Sequence, residues 1–123
     1  MFNLNHLNIE ISGVCNCKCK MCPQSEPNGR SKDFLKLMPY EIFEKVVLDA
    51  IGHGITTISL TGSGEPTLHP NLVKMVQFVS SKGLNSAFYT NAAKLTPDLF
   101  ERLAMAGLDL LTISVIGHTK EKY

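Results

Sequence analysis

The chain has 123 residues, 44% of them hydrophobic and 19% charged, and its 12 Lys and Arg against 11 Asp and Glu leave a formal net charge of +1. That length suits one domain of ~100–200 residues, the composition is globular, and the near-balance of charge excludes a whole-molecule field for nucleic acid or an anionic membrane. No apolar run approaches the ~20 residues of a membrane span, and the start Met1-Phe2-Asn3-Leu4-Asn5-His6 has neither the basic region nor the apolar core of an export signal; a reducing cytoplasm is expected, and disulfides are not.

In chain order, Leu7-Asn8-Ile9-Glu10-Ile11-Ser12 alternates with period two and predicts a first strand. All four cysteines, Cys15, Cys17, Cys19 and Cys22, follow it within eight residues. From Cys22 to Leu37, Pro23, Pro27, Asn28, Gly29, Arg30 and Asp33 break every periodicity, which predicts a long connection without secondary structure. Pro39 then opens a helix with Ile42, Phe43, Val46, Val47, Ala50 and Ile51 on one face, ended by Gly52 to Gly54. Ile55 to Thr61 is rich in β-branched residues and predicts a second strand, followed by the loop Gly62-Ser63-Gly64-Glu65-Pro66. Pro70 begins a helix with Leu72, Val73, Val76, Phe78 and Val79, closed at Lys82-Gly83.

Asn85 to Thr90 is the third predicted strand. Thr96, Pro97 and Asp98 supply an N-cap, a first-position proline and a first-turn acid for a helix with Leu99, Leu103 and Ala106, and Gly107 ends it. Leu110 to Val115 is the fourth strand. Phe43, Phe78 and Phe100 fall on helical faces and are expected in the core. Strands alternating with 10 to 15 residue helices give a parallel sheet of βα repeats. In such folds sites lie at the carboxyl ends of the strands. The cysteine loop, the Gly62 to Pro66 loop, Tyr89-Thr90-Asn91-Ala92 and Ser114-Val115-Ile116-Gly117 all fall there.

Clustered thiols in a reducing compartment point to a metal, since soft thiolates bind zinc or iron-sulfur clusters. Structural zinc sites join two Cys pairs across a dozen or more residues. Here no second pair exists, and no His-x-x-x-His stands elsewhere. A non-catalytic zinc module using all four thiols is therefore the alternative reading. With Cys17 left out, Cys15-Asn16-Cys17-Lys18-Cys19-Lys20-Met21-Cys22 reads Cys-x-x-x-Cys-x-x-Cys. That run resembles the radical S-adenosylmethionine (radical SAM) family.

The resemblance implies that Cys15, Cys19 and Cys22 hold a [4Fe-4S] cluster whose fourth iron chelates S-adenosylmethionine. Cys17 is read as a bystander whose side chain points away. Gly64 and Glu65, in Ser63-Gly64-Glu65-Pro66, match the family's Gly-Gly-Glu-Pro loop, which receives the cofactor's amino group; Ser63 replaces one glycine. Met21 stands where an aromatic residue often lies near the adenine, and Ser114 where the ribose hydroxyls are reached. Ile116 replaces an Asp usual two residues after that serine. The implied fold is an incomplete TIM-like barrel, about four of six βα units, so residues 1–123 resemble a core domain truncated at its C-terminal end. The implied activity is reductive cleavage of S-adenosylmethionine to a 5′-deoxyadenosyl radical that takes hydrogen from an unidentified substrate. A catalytically incomplete remnant is a further alternative. The look is closest to the branch that modifies peptides, cofactor precursors or cell-envelope intermediates and often carries further C-terminal cluster domains.

Implied partners are a reductant such as flavodoxin or ferredoxin, with no nucleic acid and no membrane. Lys18, Lys20, Arg30 and Lys32 are read as a solvated loop before a docking rim for an acidic donor. His6, His53, His69 and His118 are read as surface or loop polar groups, while Thr90 and Asn91 are candidates to touch substrate or simply to begin a turn. Self-association through the open edge of the fourth strand is also expected.

Overall fold

A computed structural model describes residues 5–25 and 34–115. Pro27 to Asp33, including Arg30 and Lys32, and the stretch with Ile116 and His118 lie outside the described residues.

Among the described residues four parallel strands, β1 (His6–Asn8), β2 (Thr57–Ser59), β3 (Asn85–Thr90) and β4 (Leu110–Ile113), form one sheet in the order β1-β2-β3-β4. Three helices alternate with them: α1 (Tyr40–Gly52), α2 (Leu72–Ser81) and α3 (Pro97–Met105). This is the α/β class of parallel βα repeats that the alternating periodicities require. Register sets Leu7 beside Ile58, Ile58 beside Ser86, and Phe88 beside Leu111. Side chains directly opposite share a face, and Ile58, Leu60 and Phe88 join Phe43, Val47, Val76, Val79 and Leu103 of the helices in one buried core. Each large side chain so buried stabilises the fold by ~1.5–3 kcal/mol. The other face carries His6, Asn8, Ser59, Tyr89 and Thr112, a mostly polar row.

The predicted first strand ran to Ser12, but its ladder stops at Asn8, with Ile9 N–H still donating to Ser59 O at 2.8 Å. Beyond that the chain changes partner: Met38 N–H donates to Ile11 O at 2.9 Å, Gly13 N–H to Lys36 O at 2.8 Å, and Ser12 bridges Leu37 antiparallel. Ile9 and Ile11 are nonetheless buried, as their alternation requires. This pairing and a short 3-10 turn at Pro23–Ser25 give structure to both ends of a connection expected to have none.

The second and fourth strands are also shorter than predicted, and α2 begins at Leu72 because Pro66–Leu68 forms its own 3-10 turn ahead of it. Helix α1 buries Tyr40, Phe43, Val47 and Ala50, while Ile42 and Ile51 are exposed; at 100° per residue Ile42 falls outside the stripe that meets the sheet, and Ile51 lies at its edge in the last turn of the helix. In α3 the Thr96 Oγ1 accepts the Leu99 N–H at 3.2 Å, the cap its sequence announces. Phe100 was expected in the core but is 52% exposed, because Leu103 takes the sheet-facing position.

Candidate functional site

At the carboxyl ends of the strands lies a cavity of about 300 Å³, and it draws together the four candidate segments. Cys15, Cys17, Cys19, Met21 and Cys22 line one side; Thr61 to Glu65, Tyr89 to Asn91 and Ser114 line the other. Every residue singled out from the sequence as a ligand or cofactor contact therefore lines this cavity.

Cys17 is on it too, contrary to the expectation that it points away. The reason is local. From Cys15 to Lys20 burial alternates, with Cys15, Cys17 and Cys19 half-buried and Asn16, Lys18 and Lys20 exposed, so the three odd-numbered thiols share the cavity lining. Burial, then the neighbouring Cys15 and Cys19 and the Glu65 carboxylate, push the Cys17 thiol pKa above its ordinary value. At Cys22 the direction changes through a turn in which its N–H donates to Cys19 O at 2.9 Å. Among the described residues no three Cys, His, Asp or Glu side chains stand in a finished ligand arrangement.

The loop is tied to the rest of the rim by bonds that sequence reasoning did not find. Gln24 donates from Nε2 to Gly13 O at 3.1 Å and to Ser63 O at 2.8 Å, bridging the cysteine loop to the glycine loop. Glu65 N–H donates to Val14 O at 2.8 Å, and Ser63 N–H donates to Glu10 Oε1 at 2.6 Å. Gly64 is where backbone meets backbone: a Cβ there would fall on the Ser12 carbonyl oxygen and 2.7 Å from Val14 O. Gln24 gave no signal, since it sits in a segment without periodicity and its partners are 11 and 39 residues away.

Glu65, 3% exposed, has its carboxylate bonded to three residues. Oε1 accepts from Thr67 N at 3.1 Å, Thr67 Oγ1 at 2.6 Å and Thr90 Oγ1 at 2.6 Å. Oε2 accepts the Asn91 N–H at 2.8 Å. It thus caps the Pro66–Leu68 turn and locks the end of β3. A carboxylate has about four lone-pair sites, and the Oε2 atom, with one donor among the described residues, keeps acceptor capacity toward the cavity.

Asn91 continues the network, its Nδ2 donating to Asn16 Oδ1 at 2.9 Å and lying 3.9 Å from Cys15 Sγ. Met21 is exposed at the cavity mouth, and Ser114 N–H donates to Thr90 O at 2.8 Å, extending β4 to the rim. His69, expected as a surface or loop polar group, lies in the loop before α2 but is buried: its Nε2 lies 2.9 Å from Met38 O and its Nδ1 accepts the Asn71 N–H at 3.1 Å, pinning the chain before α1 to that before α2. His6 meets Ser59 Oγ at 2.8 Å, and His53 is exposed beside Asp49. Lys18 and Lys20 face solvent.

A family model for the radical SAM superfamily matches residues 9–122. The chain belongs to that superfamily. It is 33% identical over 113 residues to a Pyrococcus furiosus tungsten-containing aldehyde ferredoxin oxidoreductase cofactor-modifying protein, covering 91% of this chain and 31% of that protein. It is 30% identical over 121 residues to the GTP 3′,8-cyclase of Alkaliphilus oremlandii, covering 98% of this chain and 37% of that one. The chain thus spans about a third of the length of these curated relatives. Among solved structures, BtrN in complex with AdoMet and 2-DOIA superposes with a TM-score of 0.79 at 22% identity over 89% of this chain and 44% of that one. SuiB bound to its precursor peptide SuiA gives 0.67 at 22% identity over 87% and 23%. These likenesses show the shared fold, that of the superfamily's TIM-barrel-like proteins.

Radical SAM proteins use a [4Fe-4S] cluster and S-adenosylmethionine, and their chemistry is radical chemistry dependent on that cofactor. The donor set here fits the cluster: four thiols share one cavity wall, with no imidazole in that lining. Among the described residues no helix is long and apolar enough to cross a membrane.

Proposed function

We propose that this chain is the cofactor-binding core, or a fragment of it, of a radical SAM enzyme, in which Cys15, Cys19 and Cys22 hold the [4Fe-4S] cluster. One observation carries the reading: the three thiols line a single cavity with Gly64, Glu65 and Ser114, which are separated from them by 42 to 99 residues of chain. When bound, the cluster supplies the electron that cleaves S-adenosylmethionine to methionine and a 5′-deoxyadenosyl radical, which takes a hydrogen atom from substrate.

The chain's own residues bind and orient. Backbone groups at Gly64, where no side chain intrudes, and the remaining acceptor capacity of Glu65 Oε2 meet the cofactor's ammonium. Ser114 offers a hydroxyl for the ribose, and Met21 a soft apolar surface for the adenine. The thiol loop closes fully only as it takes up metal, because ligand deprotonation, binding and local ordering are coupled. Those thiols suit a reducing cytoplasm and an electron donor of the flavodoxin or ferredoxin kind.

A second reading, a closed four-thiolate centre such as zinc, is favoured by the presence of Cys17 on the same wall. Anaerobic reconstitution with iron and sulfide separates the two. The radical SAM reading expects a brown protein with ~4 Fe, 5′-deoxyadenosine on adding dithionite and S-adenosylmethionine, a cluster retained in Cys17→Ala and lost in Cys15→Ala. One zinc per chain, no colour and equal damage from both substitutions would replace it with the zinc module. A cluster without deoxyadenosine would mark a remnant.

A further inference from the structure

Asn91 follows directly on β3, half-buried, and its polar groups are committed in a definite sense. Its backbone N–H goes to Glu65 Oε2 at 2.8 Å, and its side-chain Oδ1 accepts the Ala93 N–H at 3.0 Å. That second bond fixes the amide orientation, since only an oxygen can face a backbone N–H. The Nδ2 group must then face the cysteine loop, where Asn16 Oδ1 lies at 2.9 Å and Cys15 Sγ at 3.9 Å. The same Nδ2 atom is thus within reach of both Asn16 Oδ1 and Cys15 Sγ, and it carries two hydrogens, enough for one donor to each. The side chain expected to touch substrate or begin a turn thus does begin the turn, with its donors spent on the thiol loop.

We propose, on the reading that Cys15 ligates a [4Fe-4S] cluster, that Asn91 is a positioning residue that raises the reduction potential of that cluster through an N–H···S hydrogen bond to Cys15. Reduction adds negative charge that spreads onto the ligand sulfurs, and donors to those sulfurs stabilise the reduced form. The bond is long, so the effect is modest: its loss lowers the reduction equilibrium constant by up to about tenfold, ~59 mV for a one-electron couple.

The test is a redox titration, followed by electron paramagnetic resonance, of the reconstituted full chain without S-adenosylmethionine. Asn91→Ser keeps an oxygen to accept from Ala93 and removes both donors to the loop without adding charge. Asn16→Ala removes the anchoring partner and leaves the donor to sulfur. The expected result is a lower midpoint in Asn91→Ser at full iron content, with Asn16→Ala close to wild type. Equal midpoints in wild type and Asn91→Ser, both fully loaded, overturn the proposal and leave the cluster reading standing. Equal lowering in both variants overturns it in favour of simple anchoring. If Asn91→Ser takes up no iron, Asn91→Ala, which likewise adds no charge, is titrated by the same rule. A wild-type chain that takes up no cluster overturns the cluster reading itself and this inference with it.

Discussion

Gly64→Ala tests how the cysteine loop is held. A methyl group at this position would fall on the Ser12 carbonyl oxygen, and would sit 2.6 Å from the Ser12 carbon and 2.7 Å from Val14 O. Ordinary van der Waals contact begins near 3.4 Å, so relieving the Ser12 carbon alone demands a shift of 0.8 Å. All three neighbours are backbone, and no rotamer change can yield that space. The segment that must move leads straight into Cys15, and its movement strains the Glu65 N–H to Val14 O bond of 2.8 Å. Overpacking of this kind costs ~1–3 kcal/mol, and losing the hydrogen bond adds ~0.5–1.5 kcal/mol. A total of ~2–4 kcal/mol at about 4 °C per kcal/mol lowers Tm by roughly 8–16 °C. Thermal melts of the metal-free chain by far-ultraviolet circular dichroism, together with iron content after reconstitution, measure both effects. Gly52→Ala is the control: nothing lies within 4 Å of its Cβ, so stability is unchanged or slightly raised. A Gly64→Ala chain that melts with the wild type and binds as much iron would refute the close approach of the two loops.

Glu65→Gln places an amide donor opposite either the Asn91 N–H or the three donors on Oε1, and is expected to destabilise by ~1–3 kcal/mol; urea unfolding measures it. Ala92, at φ 60°, is a non-glycine residue in the left-handed region, so Ala92→Gly should stabilise by about 1 kcal/mol in the same assay. Burial, followed by the Glu44 carboxylate, raises the Tyr40 pKa above its ordinary value near 10.0. The fold therefore holds the proton that the unfolded chain releases, so stability is intact below pH ~10 and falls as pH rises beyond it; Tyr40→Phe removes that part of the fall. Along the β4 edge Leu110, Ile113 and Val115 are exposed, with Phe100 close by on α3, so the chain should sediment as dimers or larger species; Leu110→Lys with Ile113→Lys should shift it toward monomer. A wild-type chain that stays monomeric at high concentration would remove that reading.

What could be read from the sequence divides along local and distant interactions. β3 begins and ends where its residues say, and Thr96-Pro97-Asp98 starts α3 with the cap bond in place, since both signals lie within a few residues of their effect. The period of burial in the first strand was legible as well, with Ile9 and Ile11 interior. Its hydrogen-bond partner was not: Ile11 to Gly13 pair with residues 36–38 across a connection whose sequence has no period. Phe100 was misplaced because helical periodicity gives a face without saying how much of it the sheet covers. At α3 the sheet is at its margin, and one fully buried residue, Leu103, suffices.

The site was legible as a set of segments and illegible as a set of bonds. Strand ends converge in any parallel βα sheet, so placing four motifs at four strand ends was enough to bring them together. Cys17 shows the limit of a spacing argument, which does not say to which side a thiol turns. Leaving it out gives the family's ligand spacing, but burial alternates between Cys15, Cys17, Cys19 and Asn16, Lys18, Lys20, and all three of these thiols line the cavity. Glu65 shows the complementary limit, because its signal named a carboxylate for a ligand, while in the fold that carboxylate first holds Thr67, Thr90 and Asn91. The two roles agree physically: a group fixed by several donors keeps its position when a ligand arrives, so little ordering entropy remains to be lost on binding. Thr90 and Asn91, separated from it by 25 and 26 residues, supply that rigidity from β3. Through Asn91 the same rigidity reaches Asn16 and the thiol loop, so the glycine loop and the cysteine loop are placed relative to each other by the end of a strand that belongs to neither.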